Sequence, residues 1–308
     1  MTTHVSWRAL LGEATERLGS PQEARWLVER ASGLEGTEYA LGLDDPVPAR
    51  AMPFFEDLLA RRAGGEPLQY VLGRWSFRHL DLFVDRRVLI PRPETEIVVE
   101  VALGELARLG VKRPNVVDLG TGSGAIALSI AVEVPSARVV ATDVSAEALE
   151  VASANLTGVG TLVASRVRLE QGAWFAAVPR SLRGQVHLVV SNPPYVGAAE
   201  LLPDEVAEWE PATALRAGPT GLEDIERIVA EAPAWLARPS VLVIELAPDQ
   251  AGAAIALARD AGFGSAEVRP DLTGRDRALV ARLGPTPDLR AIEGLEGPGS
   301  RAKREGMA

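Results

Sequence analysis

Residues 115–124 read NVVDLGTGSG. A short β-branched run, Val116–Leu119, passes straight into a loop with glycine at every second position, Gly120, Gly122 and Gly124. Ala125–Val132 follows, apolar almost throughout. Strand, glycine loop and helix in that order open a βαβ unit, and glycines at such a turn let the backbone approach a ligand closely. From here to Leu283 apolar runs alternate with helical segments. The expected strands are Val116–Leu119, Arg138–Asp143, Arg166–Glu170, His187–Ser191 and Val241–Leu246. The expected helices include Ala125–Val132, Ala146–Leu156, Leu222–Leu236 and Asp249–Ala261. Such alternation implies parallel strands with crossover helices on both faces. Ala266–Arg269 and Arg277–Leu283, joined by the short link Pro270–Gly274, favour an antiparallel pair at the sheet edge. The fold class is therefore α/β, with a mainly parallel seven-stranded sheet.

A chain of 308 residues allows one or two domains with full-sized cores. Its 47% hydrophobic and 24% charged residues are ordinary for a globular protein. A net charge of −10 argues against direct DNA binding, which relies on clustered Lys and Arg. Without cysteine there is no disulfide, thiolate ligand or thiol nucleophile. His4, His79 and His187 are scattered without ligand spacing, so no metal is expected. The start, MTTHVSWRALLGEATERLG, lacks the basic and apolar regions of a signal peptide. No run approaches the length of an uncharged membrane span. The expected location is cytoplasmic, with no membrane partner.

Residues 1–70 read as a small helical domain. Trp7, Leu10, Leu11, Ala14 and Leu18 share one helical face. Ser20-Pro21-Gln22-Glu23 has the form of a capping box with proline at the first helical position. A third helix carries Phe54, Phe55, Leu58 and Leu59 and ends at Arg61 and Arg62 before Gly64. Residues 71–91, aromatic and β-branched, read as a hairpin or connector. Pro91–Glu96 break the chain and start a helix from Ile97 to Leu109, so the larger domain spans 92–284. The tail, 285–308, is rich in Pro, Gly and mixed charge and is expected to be disordered.

In parallel sheets ligands sit beyond the carboxyl ends of the strands. The second strand ends there in Asp143, where an acidic group commonly grips ribose hydroxyls. The dinucleotide fingerprint needs G-x-G-x-x-G, whereas position 125 is Ala, and no phosphate-loop lysine follows. The pattern Asp118-x-Gly120-Thr121-Gly122-Ser123-Gly124 instead resembles the S-adenosyl-L-methionine loop of class I methyltransferases. That resemblance implies a Rossmann-like methyltransferase domain.

The fourth strand ends in Ser191-Asn192-Pro193-Pro194-Tyr195. Two prolines stop the strand, since neither has an N–H for a sheet ladder. A rigid turn fixes two acceptors, the Asn192 side chain and the Pro193 carbonyl, at one point, which suits an NH₂ group. An amide nitrogen is a poor nucleophile because its lone pair is delocalised. Holding both N–H bonds lets it pyramidalise, so catalysis is positioning plus stabilisation of developing positive charge. Tyr195 offers a ring face to that charge.

Asn-Pro-Pro-Tyr after a strand resembles the signature of methyltransferases acting on glutamine, adenine N6 or cytosine N4. EPLQYVLGRWSFRHLDLFVDRRVLIPRPETE (66–96) and DEVAEWEPATALRAGPTGL (204–222) narrow the likeness to peptide chain release factor glutamine methyltransferases. What the resemblance implies is methyl transfer from S-adenosyl-L-methionine to N5 of the glutamine in the Gly-Gly-Gln motif of class 1 release factors. S-adenosyl-L-homocysteine is the product. The N-terminal helical domain would dock the release factor. Asp118, Gly120–Gly124 (with Thr121 and Ser123), Asp143 and Trp174 would bind the cofactor, with Asn192 beside it. Asn192, Pro193, Pro194 and Tyr195 would hold the glutamine. One departure is Ala173, where the family often has an acidic residue. Three rivals stand beside this reading: a ribosomal-protein glutamine methyltransferase, a DNA adenine methyltransferase and a catalytically dead binding module. PRPETE and the Glu-Val-x-x-Trp-Glu-Pro spacing favour the release-factor branch. Glu245 either faces the pocket or satisfies a neighbour. Glu94 and Glu96 are either helix-start charges or pocket lining.

Overall fold

The computed structural model describes residues 5–284, so the tail expectation lies outside the described residues. Five helices come first: α1 (Trp7–Leu18), α2 (Pro21–Ser32), α3 (Gly36–Gly42), α4 (Met52–Ala63) and α5 (Leu68–Leu72). The spacing of apolar residues marked three of them; α3 and α5 are too short to show a period. They enclose their own core around Leu27, Phe55, Leu58 and Leu59. The capping box forms by half. Ser20 Oγ accepts from the Glu23 N–H, but the Glu23 carboxylate turns to Arg62, 2.7 Å away, and ties α2 to α4.

A hairpin of β1 (Trp75–Phe77) and β2 (Leu80–Leu82) follows. Residues 71 and 72 belong to α5, which Gly73 ends in the left-handed region, so the connector starts later than expected. Beyond the hairpin the chain makes one turn, in which the Val88 N–H donates to the Asp85 carbonyl at 3.1 Å, and buries Val84, Val88 and Ile90. The Tyr70 hydroxyl donates to the Val88 carbonyl at 2.5 Å and holds that segment down. Arg78 pins the hairpin to the layer of helices, its guanidinium 2.6 Å from Glu133 and 2.9 Å from Glu100.

Then come α6 (Pro93–Leu109), β3 (Asn115–Leu119), α7 (Ala125–Glu133), β4 (Arg138–Asp143), α8 (Ala146–Gly158), α9 (Thr161–Ala164) and β5 (Val167–Gln171). They are followed by β6 (Val186–Ser191), α10 (Asp204–Trp209), α11 (Glu223–Glu231), β7 (Leu236–Glu245), α12 (Ala251–Asp260), β8 (Ser265–Pro270) and β9 (Asp276–Leu283). The seven-stranded sheet has the order β5-β4-β3-β6-β7-β9-β8. Its first five strands run parallel, and β9 is antiparallel to both neighbours. The expected mainly parallel sheet and the antiparallel edge pair are thus observed. Successive residues of a strand face opposite sides. Val116, Leu188 and Val190 accordingly join the core under α6 and α7, while Val117 and Val189 join the core under α11 and α12.

Several boundaries differ: α6 begins at Pro93 rather than Ile97, and β7 at Leu236 rather than Val241. The helix expected over Leu222–Leu236 stops at Glu231, and Leu236 already pairs with Val186 in the sheet. Pro233 sits between them and cannot donate into an α-helix. Among the described residues no helix is long and apolar enough to cross a membrane.

Burial ranks the ion pairs. Arg78 keeps only 12% of its side chain exposed beside a Glu133 at 19%, whereas Arg8 and Asp44 are 56% and 75% exposed. Arg78→Ala is expected to cost about 2–3 kcal/mol in urea unfolding, because Glu133 loses its partner away from water. Arg8→Ala is expected to leave the unfolding free energy nearly unchanged, because that pair is screened by solvent. Equal costs for the two would contradict the role given to Arg78.

Candidate active site

β3 lies between β4 and β6, in register: Leu119 is level with Thr142 on one side and Ser191 on the other. The chain therefore leaves three adjacent strands at one height. The Ser191 hydroxyl donates to the Leu119 carbonyl at 2.7 Å, a buried clasp between β6 and β3. Beyond it opens a cavity of about 370 Å³.

The glycine loop forms its floor. Gly120, Gly122 and Gly124 have φ of 73°, 55° and 84°, the region that residues with a Cβ avoid. A Cβ on Gly120 would also lie 3.4 Å from the Trp174 ring. The Gly120 and Thr121 N–H groups both donate to the Thr142 carbonyl at 2.9 Å. The Gly122 N–H donates to Asp143 Oδ2, and the Ser145 N–H to Asp143 Oδ1, both at 2.9 Å. Burial raises the Asp143 carboxyl, and those backbone bonds oppose the rise. Each oxygen has acceptor capacity beyond that one bond, and Asp143 lines the cavity.

Asp118 is placed differently from the expectation of a cofactor contact. It is wholly buried beneath the loop and absent from the cavity wall. Its Oδ2 accepts from the Thr121 hydroxyl at 2.6 Å and the Ala127 N–H at 3.1 Å, fastening the loop to α7. Oδ1 has no partner. Gly124 likewise serves as the N-cap of α7 rather than as wall. Thr121 and Ser123 do line the cavity.

Trp174 lines the cavity from the loop after β5, at φ of 49°, a strained setting for a bulky residue. Asp224 lines the same cavity; burial raises its carboxyl, and the Trp174 side chain opposes that rise. Ala173 is wall as well, so an acidic side chain does stand near Trp174, supplied by α11.

Asn192 and Pro194 line the cavity, whereas Pro193 is buried and Tyr195 turns away. The Tyr195 hydroxyl lies 3.5 Å from Glu245 Oε1, so it supports the turn from behind instead of presenting a ring face. Burial pushes its phenol well above the usual range. Asn192 Nδ2 donates to Thr95 Oγ1 at 3.2 Å, and Thr95 Oγ1 donates to Glu245 Oε2 at 2.7 Å. Among the described residues no donor reaches Asn192 Oδ1 or the Pro193 carbonyl. Glu245 is 1% exposed, and burial pushes it up to about 7.

The same elements settle the open carboxylates. Glu245 lies behind the site, not on its wall. Glu96 accepts from the Arg78 N–H at 3.1 Å, away from the cavity. Thr95, between Glu94 and Glu96, is the residue of that run that lines the cavity, and sequence reasoning passed over it. His187 Nδ1 accepts from the Asn115 N–H at 3.1 Å at the opposite end of the sheet, a structural role.

The turn is held from its far side too. Gln250 Nε2 donates to the carbonyls of Tyr195 at 3.0 Å and Gly221 at 3.1 Å. Gly221 has φ of 80°, and a Cβ there would stand 2.5 Å from the Tyr195 oxygen. Over the cavity, the two sequence blocks that carried the resemblance meet. Glu210 accepts from the Ile90 N–H at 3.1 Å and pairs with Arg92. Arg86 lies over the Trp209 ring, 5.2 Å from its centre.

The sheet order and loop placement define a methyltransferase-type α/β domain. The catalytic domain of hMettl16 bound to MAT2A 3′UTR hairpin 1 shares the fold, with a TM-score of 0.54 at 17% identity over 75% of this chain and 82% of that one. Residues 100–208 match the "Methyltransferase small domain" family, and residues 6–73 match the "PrmC N-terminal domain" family. The release factor glutamine methyltransferase of Cereibacter sphaeroides is 41% identical over 85% of this chain and 91% of its own. That of Deinococcus radiodurans is 40% identical over 89% of this chain and 98% of its own. The chain belongs to the release factor glutamine methyltransferase family.

Asp118 gives the site a pH signature. Burial raises its carboxyl to about 7, far above its unfolded value near 4. Its protonation therefore favours the fold fully below about pH 4, and that support is lost as pH rises through about 7. Asp118→Asn is expected to flatten the dependence of unfolding free energy on pH between about 4 and 7. Identical slopes for variant and wild type would contradict the assignment.

Proposed function

We propose that this protein transfers a methyl group to N5 of the glutamine in the Gly-Gly-Gln motif of class 1 peptide chain release factors. The observation that carries this reading is the orientation of Asn192, whose Nδ2 is committed inward and whose Oδ1 is left for a donor. Family membership favours a glutamine amide over a DNA base as that donor.

The cavity chemistry fits S-adenosyl-L-methionine. Asp143 offers two acceptor oxygens to vicinal hydroxyls, Gly120 and Gly122 line the cavity with bare backbone, and Trp174 gives an aromatic face. Bound there, the cofactor supplies an electrophilic sulfonium methyl and leaves as S-adenosyl-L-homocysteine.

The chain's own residues do the rest by positioning. Asn192 Oδ1 and the Pro193 carbonyl each accept one N–H of the amide. Holding both bonds pulls the nitrogen toward a pyramidal geometry and frees its lone pair. Both acceptors then face the positive charge that develops on that nitrogen. Pro194 keeps the turn rigid, and Tyr195 and Gln250 hold it from behind. After transfer the nitrogen is cationic and acidic and gives one proton to solvent, so no strong base is needed. The α1–α5 bundle serves as a docking unit for the release factor. Its Arg62 reaches Glu205 of α10 at 3.0 Å and ties it to the segment that roofs the cavity.

Mass spectrometry of a class 1 release factor incubated with enzyme and S-adenosyl-L-methionine should find one added methyl on the Gly-Gly-Gln glutamine. Methylated DNA with an untouched release factor would select the rival substrate. Asp143→Ala should weaken cofactor binding at least about tenfold by calorimetry, because it removes two charged acceptors. Asn192→Ala should keep cofactor affinity and lose roughly a hundredfold or more in turnover. An unchanged dissociation constant in the first, or wild-type turnover in the second, would overturn the respective role.

A further inference from the structure

The two ends of a side-chain amide have nearly the same shape, so packing alone does not decide which one Asn192 turns to the cavity. The decision is made behind the site. Thr95 Oγ1 stands between Asn192 Nδ2, at 3.2 Å, and Glu245 Oε2, at 2.7 Å. A hydroxyl carries a single proton, and an ionised carboxylate only accepts. The Thr95 proton is therefore spent on Glu245, and the Thr95 oxygen is left to accept. Only the NH₂ end of Asn192 satisfies it, so the carbonyl end must face outward. We propose that Thr95 and Glu245 are positioning residues that lock the Asn192 amide with its acceptor toward the methyl-accepting nitrogen.

This rests on the reading of Asn192 as an amide acceptor and adds what makes it one. It also accounts for a fully buried carboxylate that touches no wall of the cavity. Thr95 sits in the first turn of α6, and Glu245 is the last residue of β7, so the relay ties a helix start to a strand end beneath Asn192. The groups facing Glu245 are Thr95 and Glu94 of α6, Tyr195 of the turn and Arg277 of β9.

The chain of bonds can also run backward. A protonated Glu245 donates to Thr95, whose own proton then turns toward Asn192. The amide flips and presents two donors to a substrate NH₂ that has only donors to offer. Burial raises the Glu245 carboxyl to about 7, Glu94 adds to the rise, and Thr95, Arg277 and Tyr195 oppose it. The ionised form is the competent one, so turnover should fall as pH drops through about 7.

Thr95→Val deletes the hydroxyl at nearly constant shape, and Thr95→Ser retains it. With full-length enzyme and release factor, Thr95→Val should lose about a hundredfold in kcat, the scale of removing one preorganised polar group. The KM for release factor and the Kd for S-adenosyl-L-methionine should stay within about twofold, and Thr95→Ser should recover most of the loss. Wild-type kcat in Thr95→Val overturns the relay. So does an equal loss in Thr95→Ser, or a cofactor Kd that moves with kcat, because either marks a packing role. A second arm needs no substrate. In ¹⁵N-labelled free enzyme, one Asn192 side-chain amide proton should be protected from exchange and shift with pH near 7. That protection should survive in Thr95→Ser and vanish in Thr95→Val. Unchanged Asn192 signals in Thr95→Val overturn the relay. An enzyme that shows these signals yet leaves release factors unmethylated supports the relay and refutes the substrate.

Discussion

The level pairing of β3 with β6 is the constraint on which the site depends. Val116 lies beside Leu188 and Leu119 beside Ser191, so both strands end at one height. The Ser191 hydroxyl closes that pairing onto the Leu119 carbonyl. A slip of one residue would turn every side chain of β6 to the other face. It would also lift Asn192 out of the plane of the glycine loop. The glycine cradle and the pair of acceptors leave the sheet from these two adjacent strand ends, and Asp143 joins them from the end of β4.

Holding the site rigid requires polar groups buried beneath it. Asp118 and Glu245 are both buried, and burial drives both up to about 7. An apolar pair would fit such places more stably, since a buried carboxylate is costly even when bonded. What the carboxylates provide is direction. Asp118 aims the Thr121 hydroxyl and the first turn of α7, and Glu245 aims Thr95 and through it Asn192. Each acts on one of the two loops that the β3–β6 pairing brings together.

The sheet and the two loops were legible in the sequence because their signals are local. A β-branched run, alternating glycines and two prolines each act through neighbours in the chain. Even so, the sequence did not tell whether Asp118 touches a ligand or the loop, since both uses ask for the same residue at the same place. Tyr195 was read as a ring for the substrate, and its hydroxyl is instead directed at Glu245. Thr95 was hidden between two glutamates that looked more chemical. Its partners, Asn192 and Glu245, lie 97 and 150 residues away, and no periodicity records such a contact. Glu210 and Ile90 likewise meet across 120 residues. Their blocks were recognised by likeness to a family, and only the fold gives the physical reason that they occur together. Glu23 shows the same limit at short range, since its place in a capping box could not reveal Arg62 as the stronger partner.

The central claim is that Asn192 and Pro193 present two acceptors to one NH₂ group. A crystal structure of the enzyme with S-adenosyl-L-homocysteine and a Gly-Gly-Gln peptide tests it most directly. The account predicts the glutamine N5 about 3 Å from both Asn192 Oδ1 and the Pro193 carbonyl, with Asn192 Nδ2 still on Thr95. A glutamine whose carbonyl oxygen takes the Asn192 NH₂, or whose amide is held by other residues, would contradict it.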